Sequence, residues 1–256
     1  LVLFLSLLYI PWINNIRTLF IIQDFRAMNN IYVGWDSRED IAYQVCEHSI
    51  LRRTYREFIN VVPLKQNDLR EQKLYWREID KLASTEFTFT RFLIPHLNGY
   101  KGLAVFCDSD MVFLTDAHHL FQNGFADESK AVWVVKHDYN PPEGVKMDGQ
   151  LQLPYPRKNW SSFMVFNCAH PSCRKLDLKT VNTETGAYLH RFEWCADDEI
   201  GELGCEWNWL VGHYKEPVDG TPKVLHYTEG GPWFENMRDC EYDHVWKKEV
   251  INLYSS

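Results

Sequence analysis

The sequence lacks the features that define several classes of protein. It has no excess of positive charge, since 27 Lys and Arg stand against 35 Asp and Glu, and the net charge of −8 argues against a nucleic-acid-binding protein. Its seven cysteines contain no Cys-x-x-Cys pair and are odd in number, which argues against a disulfide framework or a structural zinc site. Free cysteines fit a reducing compartment, so we expect a cytoplasmic protein.

The sequence also lacks an uninterrupted apolar run of roughly 20 residues, the length of a membrane-spanning helix. Residues 1–13 are nearly all apolar, and polar residues then interrupt the run. The segment resembles a signal-peptide core without the charged residue in front. Because Met28 precedes the first predicted strand, we expect residues 1–27 to be a hydrophobic leader, either an anchor or a non-native extension, and residues 28–256 to form one domain. Membrane contact is expected only through residues 1–22, and a membrane-anchored protein of a Golgi-type lumen is the alternative location.

Internal repeats, low-complexity tracts and clear domain linkers are absent from the sequence as well. What it contains is 45% hydrophobic residues over 256 positions, enough for one large globular domain. Strands are predicted at Ile31–Gly34, Ile59–Leu64, Gly102–Cys107, Ala131–Lys136, Ser162–Asn167 and Lys223–Tyr227. Helices are predicted at Ile41–Arg53, Leu74–Ile79, Thr90–Leu97 and Asp177–Phe192. The opening strand–helix–strand order indicates an α/β fold with a parallel sheet.

The most informative motif is a pair of aspartates at the end of the third predicted strand. Asp108 and Asp110 follow the apolar run Gly102–Cys107, at the sheet edge where open α/β folds bind ligands. Residues i and i+2 of an extended chain point to one side, so the two carboxylates can converge. Such oxygen ligands suit Mg²⁺ or Mn²⁺ beside phosphate groups. An ordinary turn or a helix N-cap is the alternative interpretation of the motif.

Further motifs follow in a characteristic order. They are Ile31–Asp36, Thr90–Phe92, Phe106–Asp110, Phe166–Cys168, Asp197–Ile200 and His226–Trp233. In this order they resemble the GT-A glycosyltransferases, most closely those of family 8, the galactosyltransferase and glycogenin group. The resemblance spans about residues 30–233, and the tail with His226 and Pro232-Trp233 is its most specific part. It implies a single Rossmann-like GT-A domain with a mixed, mostly parallel central sheet flanked by helices.

The resemblance implies a metal site and a donor site. Asp108, Asp110 and His226 would bind Mn²⁺ or Mg²⁺, which bridges the two phosphates of a nucleotide sugar. The implied donor contacts come from Gly34, Trp35 and Asp36 beside the base, Arg91 at the phosphates or sugar, Asp108 and Ser109 near the ribose, Asn167 at the sugar, and Gly230 and Gly231 in the tail. Asp197, with Asp198 second, would lie at the reacting carbon as the catalytic pair. Family 8 further implies retention of the anomeric configuration, with a glycan, lipid, protein or small molecule as acceptor.

The sequence departs from the family in two places. Gly231 stands where the family has a lysine that contacts the diphosphate, and the tail after His226 is one residue shorter. The family's Asp-Gln pair is replaced by Asp197-Asp198. Arg157 or Lys158 could supply the missing positive charge.

Other interpretations remain open at this point. The Asp108–Asp110 motif also fits phosphatases of the haloacid-dehalogenase type, with Asp108 as nucleophile and Asp110 as general acid. That motif normally sits on the first strand, however, and the phosphatase interpretation leaves His226–Trp233 unexplained. A non-catalytic module that binds nucleotide sugars would retain the fold but lose a metal ligand, whereas all three are present here. Structural roles are the alternatives for single residues: a core histidine at His226, a surface charge at Arg91, a tight turn at Gly34 and a helix start at Asp197.

Overall fold

The computed structural model describes residues 29–55, 57–80, 83–122, 127–138, 144–145, 151–152, 157–216 and 218–255. The predicted leader, residues 1–27, lies outside these ranges. None of the helices in the described ranges combines the length and the apolarity needed to cross a membrane.

Within these ranges the strands form a six-stranded, a three-stranded and a two-stranded sheet. The strands are β1 Asn29–Gly34, β2 Ile59–Leu64, β3 Leu103–Cys107, β4 Met111–Phe113, β5 Val132–Val135, β6 Gly144–Val145, β7 Leu151–Gln152, β8 Phe163–Asn167, β9 Ile200–Leu203, β10 Trp209–Leu210 and β11 Val224–His226. The large sheet has the order β2-β1-β3-β8-β5-β9, the small sheet β10-β11-β4, and β6 pairs with β7. Only β8 runs antiparallel within the large sheet. The predicted mixed, mostly parallel sheet is therefore confirmed.

The helices flank these sheets. The α-helices are α1 Asp40–Arg53, α2 Gln66–Glu71, α3 Ile94–Leu97, α4 Leu178–Thr183, α5 Gly186–His190 and α6 Asp243–Ser255. Short 3₁₀ helices cover Thr90–Leu93, Ala117–Phe121, Trp160–Ser162, Pro171–Lys175, Asp197–Glu199, Cys205–Trp207 and Glu235–Met237.

The central strands are apolar on both faces because each face supports its own core. Neighbouring residues of a strand point to opposite faces. Ile31 and Val105 accordingly join the core on one face, and Tyr32 and Phe106 join the core on the other. All four side chains are almost fully buried. A strand that is buried on both faces has a continuous apolar sequence, and for this reason β1 and β3 could be predicted from the sequence.

The small sheet has its own hydrophobic core, the third in the structure, and its strand β11 brings the tail segment close to the large sheet. Val112, Trp209, Leu225 and Trp246 form part of this core, which packs α6 against the small sheet. Strand β11 pairs antiparallel with β4, the strand that follows the Asp108–Asp110 motif. This pairing is the feature of the fold that positions the site described below.

Two predicted helices differ from the observed ones, and side-chain hydrogen bonds explain both differences. Residues 74–79 are not helical, because the Asn182 side chain accepts the N–H groups of Trp76 and Arg77 and donates to the Leu74 carbonyl. The predicted helix Asp177–Phe192 is divided into α4 and α5. Asp177 caps α4, and a second cap from Thr185 starts α5.

A buried carboxylate joins α6 to α1. Glu249 is 1% exposed, and its Oε1 accepts hydrogen bonds from Arg52 at 2.7 Å and from Arg53 at 2.5 Å. Burial alone raises the pKa of Glu249, but the hydrogen bonds from both arginines outweigh that effect and hold the pKa below its ordinary value. The ionised form is therefore the one that stabilises the fold.

We expect Glu249→Gln to lower the free energy of unfolding at pH 7 by about 2 kcal/mol, the scale of hydrogen bonds to a charged group. The lowered pKa means that this contribution is complete above the unfolded pKa of about 4.3. It is lost as the pH falls through the lower folded value, so the difference between variant and wild type should shrink in acid. Urea unfolding at neutral and acid pH measures this. The exposed Glu128→Gln is the control, and a deficit that is independent of pH would contradict the account.

Candidate active site

A cavity of about 440 Å³ opens at the carboxyl ends of β1 and β3. Its lining includes Asp36, which follows β1, and Asp108, Ser109 and Asp110, which follow β3. Ser162 lines it as well, because β8 runs antiparallel and begins at this edge. Its size is within the usual range for small-molecule sites. Open α/β sheets bind ligands at this edge.

The structure brings together the three side chains predicted to bind a metal. One ligand atom each from Asp108, Asp110 and His226 lies within 4.8 Å of the others. The Nε2 atom of His226 is 3.4 Å from Oδ1 of Asp110. The backbone fixes this arrangement, because His226 pairs with Met111 across the β11–β4 ladder and the Tyr227 N–H donates to the Asp110 carbonyl at 2.9 Å.

A buried asparagine orients the histidine. Nδ1 of His226 lies 2.8 Å from Oδ1 of Asn208, whose side chain is fully buried. The amide nitrogen of Asn208 donates to the Ser162 hydroxyl at 2.9 Å and to the Asn159 carbonyl at 3.4 Å. A carbonyl can only accept, so this contact fixes which end of the Asn208 amide faces His226. Nδ1 must then carry a proton, so in the neutral imidazole the Nε2 lone pair faces Asp110, as a metal ligand requires. The donor set therefore fits a divalent cation.

Arg91 lies in the cavity wall and holds Asp108. Its side chain is 6% exposed, and its Nη1 is 2.9 Å from Oδ1 of Asp108 and donates to the Ser161 carbonyl at the same distance. The guanidinium also lies over the rings of Phe87 and Phe106. Arg91 is thus a fixed cation beside the carboxylate pair rather than a surface charge.

The predicted residues at the end of β1 and just after it divide into two groups. Asp36 lines the cavity and is almost fully buried, and it accepts hydrogen bonds from Arg38 and from the Glu86 N–H. Burial alone raises the pKa of Asp36, but the Arg38 hydrogen bonds and the backbone N–H groups outweigh it and lower the pKa. Gly34 and Trp35 do not line the cavity. A Cβ at Gly34 would lie 2.5 Å from the Phe87 ring, so this position needs glycine for packing.

The tail motif lines the cavity with His226 and Thr228 and not with its glycines, and Trp233 contacts a residue of the cavity wall. The indole Nε1 of Trp233 donates to Oε2 of Glu39 at 3.0 Å, and Glu39 lines the cavity. Burial raises the pKa of Glu39 to about 7, the Asp110 charge adds to this effect, and the bond from Trp233 opposes it. Gly230 and Gly231 lie outside the cavity lining. A Cβ at Gly231 would overlap the Trp233 ring, so this residue serves a close approach.

Three further predicted site residues, Asn167, Asp197 and Asp198, also lie outside the cavity lining. Asn167 ends β8, opposite the first residue of β3, and its amide donates to the Lys130 carbonyl. Asp197 and Asp198 precede β9, whose first residue pairs with the first residue of β5. All three therefore lie toward the amino ends of the parallel strands. The Asp197 side chain is 82% exposed and pairs with Arg157, and the Asp198 carbonyl accepts from Lys130.

Several cavity residues were not predicted as site residues from the sequence. Lys158, Glu39 and His190 line the cavity, and Asn208 supports it from behind. Burial and the nearby Arg91 lower the pKa of His190 to about 3, and its Nδ1 lies 2.8 Å from the Ser161 hydroxyl. Only Lys158 had a signal in the sequence, as one of two cations in a loop. Glu39 is placed by its contact with Trp233, which lies 194 positions away in the sequence. Asn208 is placed by its contact with His226, which lies 18 positions away.

Comparison with known proteins gives one strong sequence relative. The chain is 49% identical to Protein CDI of Arabidopsis thaliana over 224 residues, which cover 86% of this chain and 85% of that protein. No protein-family model matches the sequence.

Solved structures with a similar fold are glycosyltransferases. GlyE of Streptococcus pneumoniae aligns with a TM-score of 0.58 and 14% identity over 89% of this chain and 62% of its own. The bifunctional glycosyltransferase WbbM aligns with a TM-score of 0.55 and 18% identity over 90% of this chain, and an active-site mutant of LgtC with 0.53 and 12% over 87%. The chain spans 52% of the WbbM chain and 95% of the LgtC chain. The fold is thus that of the GT-A glycosyltransferases.

We expect Asn208→Ala to weaken Mn²⁺ binding by about 10- to 100-fold, because His226 loses the acceptor that fixes its proton and orientation. Titration of the protein with Mn²⁺, followed through the electron paramagnetic resonance signal of the free ion, measures this affinity. Asn167→Ala is the matched control, since that asparagine lies at the other edge of the sheet. Equal Mn²⁺ affinity for the Asn208 variant and the wild type would show that Asn208 does not support the site.

Proposed function

This chain belongs to the family of Protein CDI of Arabidopsis thaliana, and we propose that it is a metal-dependent glycosyltransferase using a nucleotide-diphosphate sugar as donor. The observation that carries the proposal is the convergence of Asp108, Asp110 and His226 in a cavity at the carboxyl ends of the parallel strands. The GT-A fold shared with WbbM, GlyE and LgtC supports it. Retention of the anomeric configuration is part of the proposal and rests on the resemblance to family 8.

In this proposal the protein residues bind the cation and fix the orientation of its ligands. Asp108, Asp110 and His226 would hold Mn²⁺ or Mg²⁺, a cation that neutralises negative charge on a departing diphosphate. Arg91 orients Asp108 through its 2.9 Å contact. Asn208 accepts from Nδ1 of His226 and so orients the ring with Nε2 toward Asp110. Because these groups are held in place before the donor binds, little reorganisation is needed when charge develops.

The phosphatase alternative has less support from this geometry. A nucleophilic Asp108 would need a free approach for a phosphoryl group. Its Oδ1 instead contacts Arg91, and Asp110, which would be the general acid, lies 3.4 Å from the imidazole of His226. Both contacts suit metal ligands. Incubation with an aryl phosphate followed by trapping of an aspartyl-phosphate at Asp108 would favour the phosphatase.

We expect binding of a nucleotide sugar to require a divalent cation and to be lost in Asp110→Ala, which leaves the cation with one carboxylate fewer beside the diphosphate. A thermal-shift panel of uridine-, guanosine- and adenosine-diphosphate sugars, with Mn²⁺ or with EDTA, identifies the donor and tests this requirement. Transfer or donor hydrolysis should fall by roughly 10²-fold or more in the variant.

Asp197→Asn is the control for this experiment, because its carboxylate is exposed and outside the cavity. It should keep both donor binding and turnover within a few-fold of wild type. Donor binding that is unchanged by EDTA would overturn the metal-dependent proposal, and a large loss of turnover in Asp197→Asn would return that residue to the mechanism.

A further inference from the structure

We propose that one end of the cavity binds the acceptor of the transfer reaction, and that this acceptor is an uncharged carbohydrate. The inference rests on the proposed function of the same cavity. This end is lined by Thr85, Thr88, Ser161 and His190, and we call it the His190 end. The hydrogen bonds among these residues determine which chemical groups a ligand can present there.

Arg91 joins the His190 end to the metal site. Nη1 of Arg91 is 2.9 Å from Oδ1 of Asp108, and it donates to the Ser161 carbonyl at the same distance. The Ser161 hydroxyl in turn lies 2.8 Å from Nδ1 of His190. A second substrate has to share the cavity with the donor, because the transferred sugar moves from one to the other. The His190 end offers such a place, across Arg91 from the metal ligands.

Two segments that carry no predicted metal ligand form most of this end. The first precedes the 3₁₀ helix Thr90–Leu93 and contains both threonines, and the second is α5, which ends at His190. A Cβ at Gly186 would lie 3.3 Å from the Phe89 ring, so α5 packs closely against the first segment. The packing of the two segments therefore shapes the His190 end without a ligand.

The His190 end carries no net charge. His190 is neutral at pH 7, because burial and then the nearby Arg91 lower its pKa to about 3. Among the described residues that line the cavity from the same two segments, the charged ones are Asp80 and Arg191, and their signs are opposite. The charge of Arg91 is matched by Asp108. An ionic acceptor would lose hydration here without gaining a matching charge, so an uncharged acceptor is favoured.

The two threonine hydroxyls fix the direction of one hydrogen bond to the ligand. Thr88 Oγ1 donates its single proton to the Thr85 carbonyl at 2.8 Å. The two hydroxyl oxygens are 3.1 Å apart, and the bond between them must therefore be donated by Thr85. Both protons are then used within the protein, so the Thr85 hydroxyl can only accept from a ligand. The ligand must present an O–H or N–H group to Thr85.

The Ser161–His190 pair favours a hydroxyl among such groups. A neutral imidazole carries one N–H, at either ring nitrogen. With the proton at Nδ1, Ser161 accepts from His190 and can donate to a ligand, and with the proton at Nε2 these roles are reversed. A hydroxyl both donates and accepts, so it fits Ser161 in either case, whereas a carbonyl or an ammonium group fits only one. Two positions that suit hydroxyls in an uncharged pocket indicate a ligand with several hydroxyls, as a carbohydrate ring has.

The test uses the donor that the thermal-shift panel identifies, together with Mn²⁺. Transfer is followed by mass spectrometry with the methyl glycosides of glucose, galactose, mannose, xylose and N-acetylglucosamine. A peptide that contains serine and tyrosine, and diacylglycerol in detergent micelles, represent the other acceptor classes. We expect transfer to at least one glycoside and to neither of the other classes.

Thr85→Val removes the hydroxyl and keeps a side chain of similar shape. It should lower the ratio of glycoside transfer to donor hydrolysis by about 10-fold, the scale of one hydrogen bond between uncharged groups. Thr183→Val is the matched control, because Thr183 is an exposed residue of α4 whose hydroxyl donates to the Lys179 carbonyl. It should leave the ratio at the wild-type value, and Thr85→Ser, which keeps a hydroxyl, should restore most of the ratio.

Deoxy analogues of the best glycoside show whether Thr85 contacts the acceptor directly. The analogue that lacks the hydroxyl bound by Thr85 should be used equally well by the wild type and by Thr85→Val. If Thr85→Val instead reduces transfer to all analogues by the same factor, its effect is structural and the inference is overturned. Thermal unfolding checks that the variant folds, and Thr85→Ala replaces it if it does not.

Other outcomes separate this inference from the proposed function. A wild type that cleaves the donor but transfers its sugar only to the peptide, only to diacylglycerol or to no probe overturns the inference, while the proposed function stands. Equal losses of transfer and of donor hydrolysis in Thr85→Val would assign the His190 end to the donor, which also overturns the inference. A wild type that binds no nucleotide sugar overturns both.

Discussion

The antiparallel pairing of β11 with β4 is the constraint on which the site depends. It sets His226 opposite Met111 and ties Tyr227 to the Asp110 carbonyl, so a residue near the end of the chain meets a motif more than 100 positions earlier. The third core, which includes Trp209 and Trp246, packs against this small sheet. A shift of one residue in the pairing would turn His226 to the other face of the sheet and remove it from the carboxylates.

A single buried amide extends this constraint to the rest of the cavity. Asn208 bonds to His226 at one end and to Ser162 and Asn159 at the other. The Ser162 carbonyl in turn accepts the Asp108 N–H at 2.9 Å. The metal ligands, the start of β8 and the turn before it are thus held by one connected set of hydrogen bonds. Such a set is rigid only when every member is satisfied, so the loss of Asn208 should affect several parts of the site together.

Local patterns in the sequence predict the central strands and the site at Asp108 and Asp110. Continuous apolar runs and paired carboxylates can each be recognised within a few neighbouring residues. His226 could be predicted only from the resemblance. Asn167, Asp197 and Asp198 lie outside the cavity lining for a topological reason. The rule that sites lie at carboxyl ends of strands holds for parallel strands. Asn167 ends the antiparallel β8, and Asp197 and Asp198 precede a parallel strand, so all three lie toward the other edge. A short segment of sequence does not reveal whether its strand runs parallel or antiparallel to its neighbours in the sheet.

The position of a bound metal tests the account most directly. Crystals of the protein grown with Mn²⁺ and a nucleoside diphosphate can be measured at the manganese absorption edge, where the anomalous signal locates the ion without assumptions about its ligands. The account predicts one strong peak within about 2.5 Å of carboxylate oxygens of Asp108 and Asp110 and of Nε2 of His226. A peak at another place, or no peak in this cavity while the nucleotide is bound there, would contradict it.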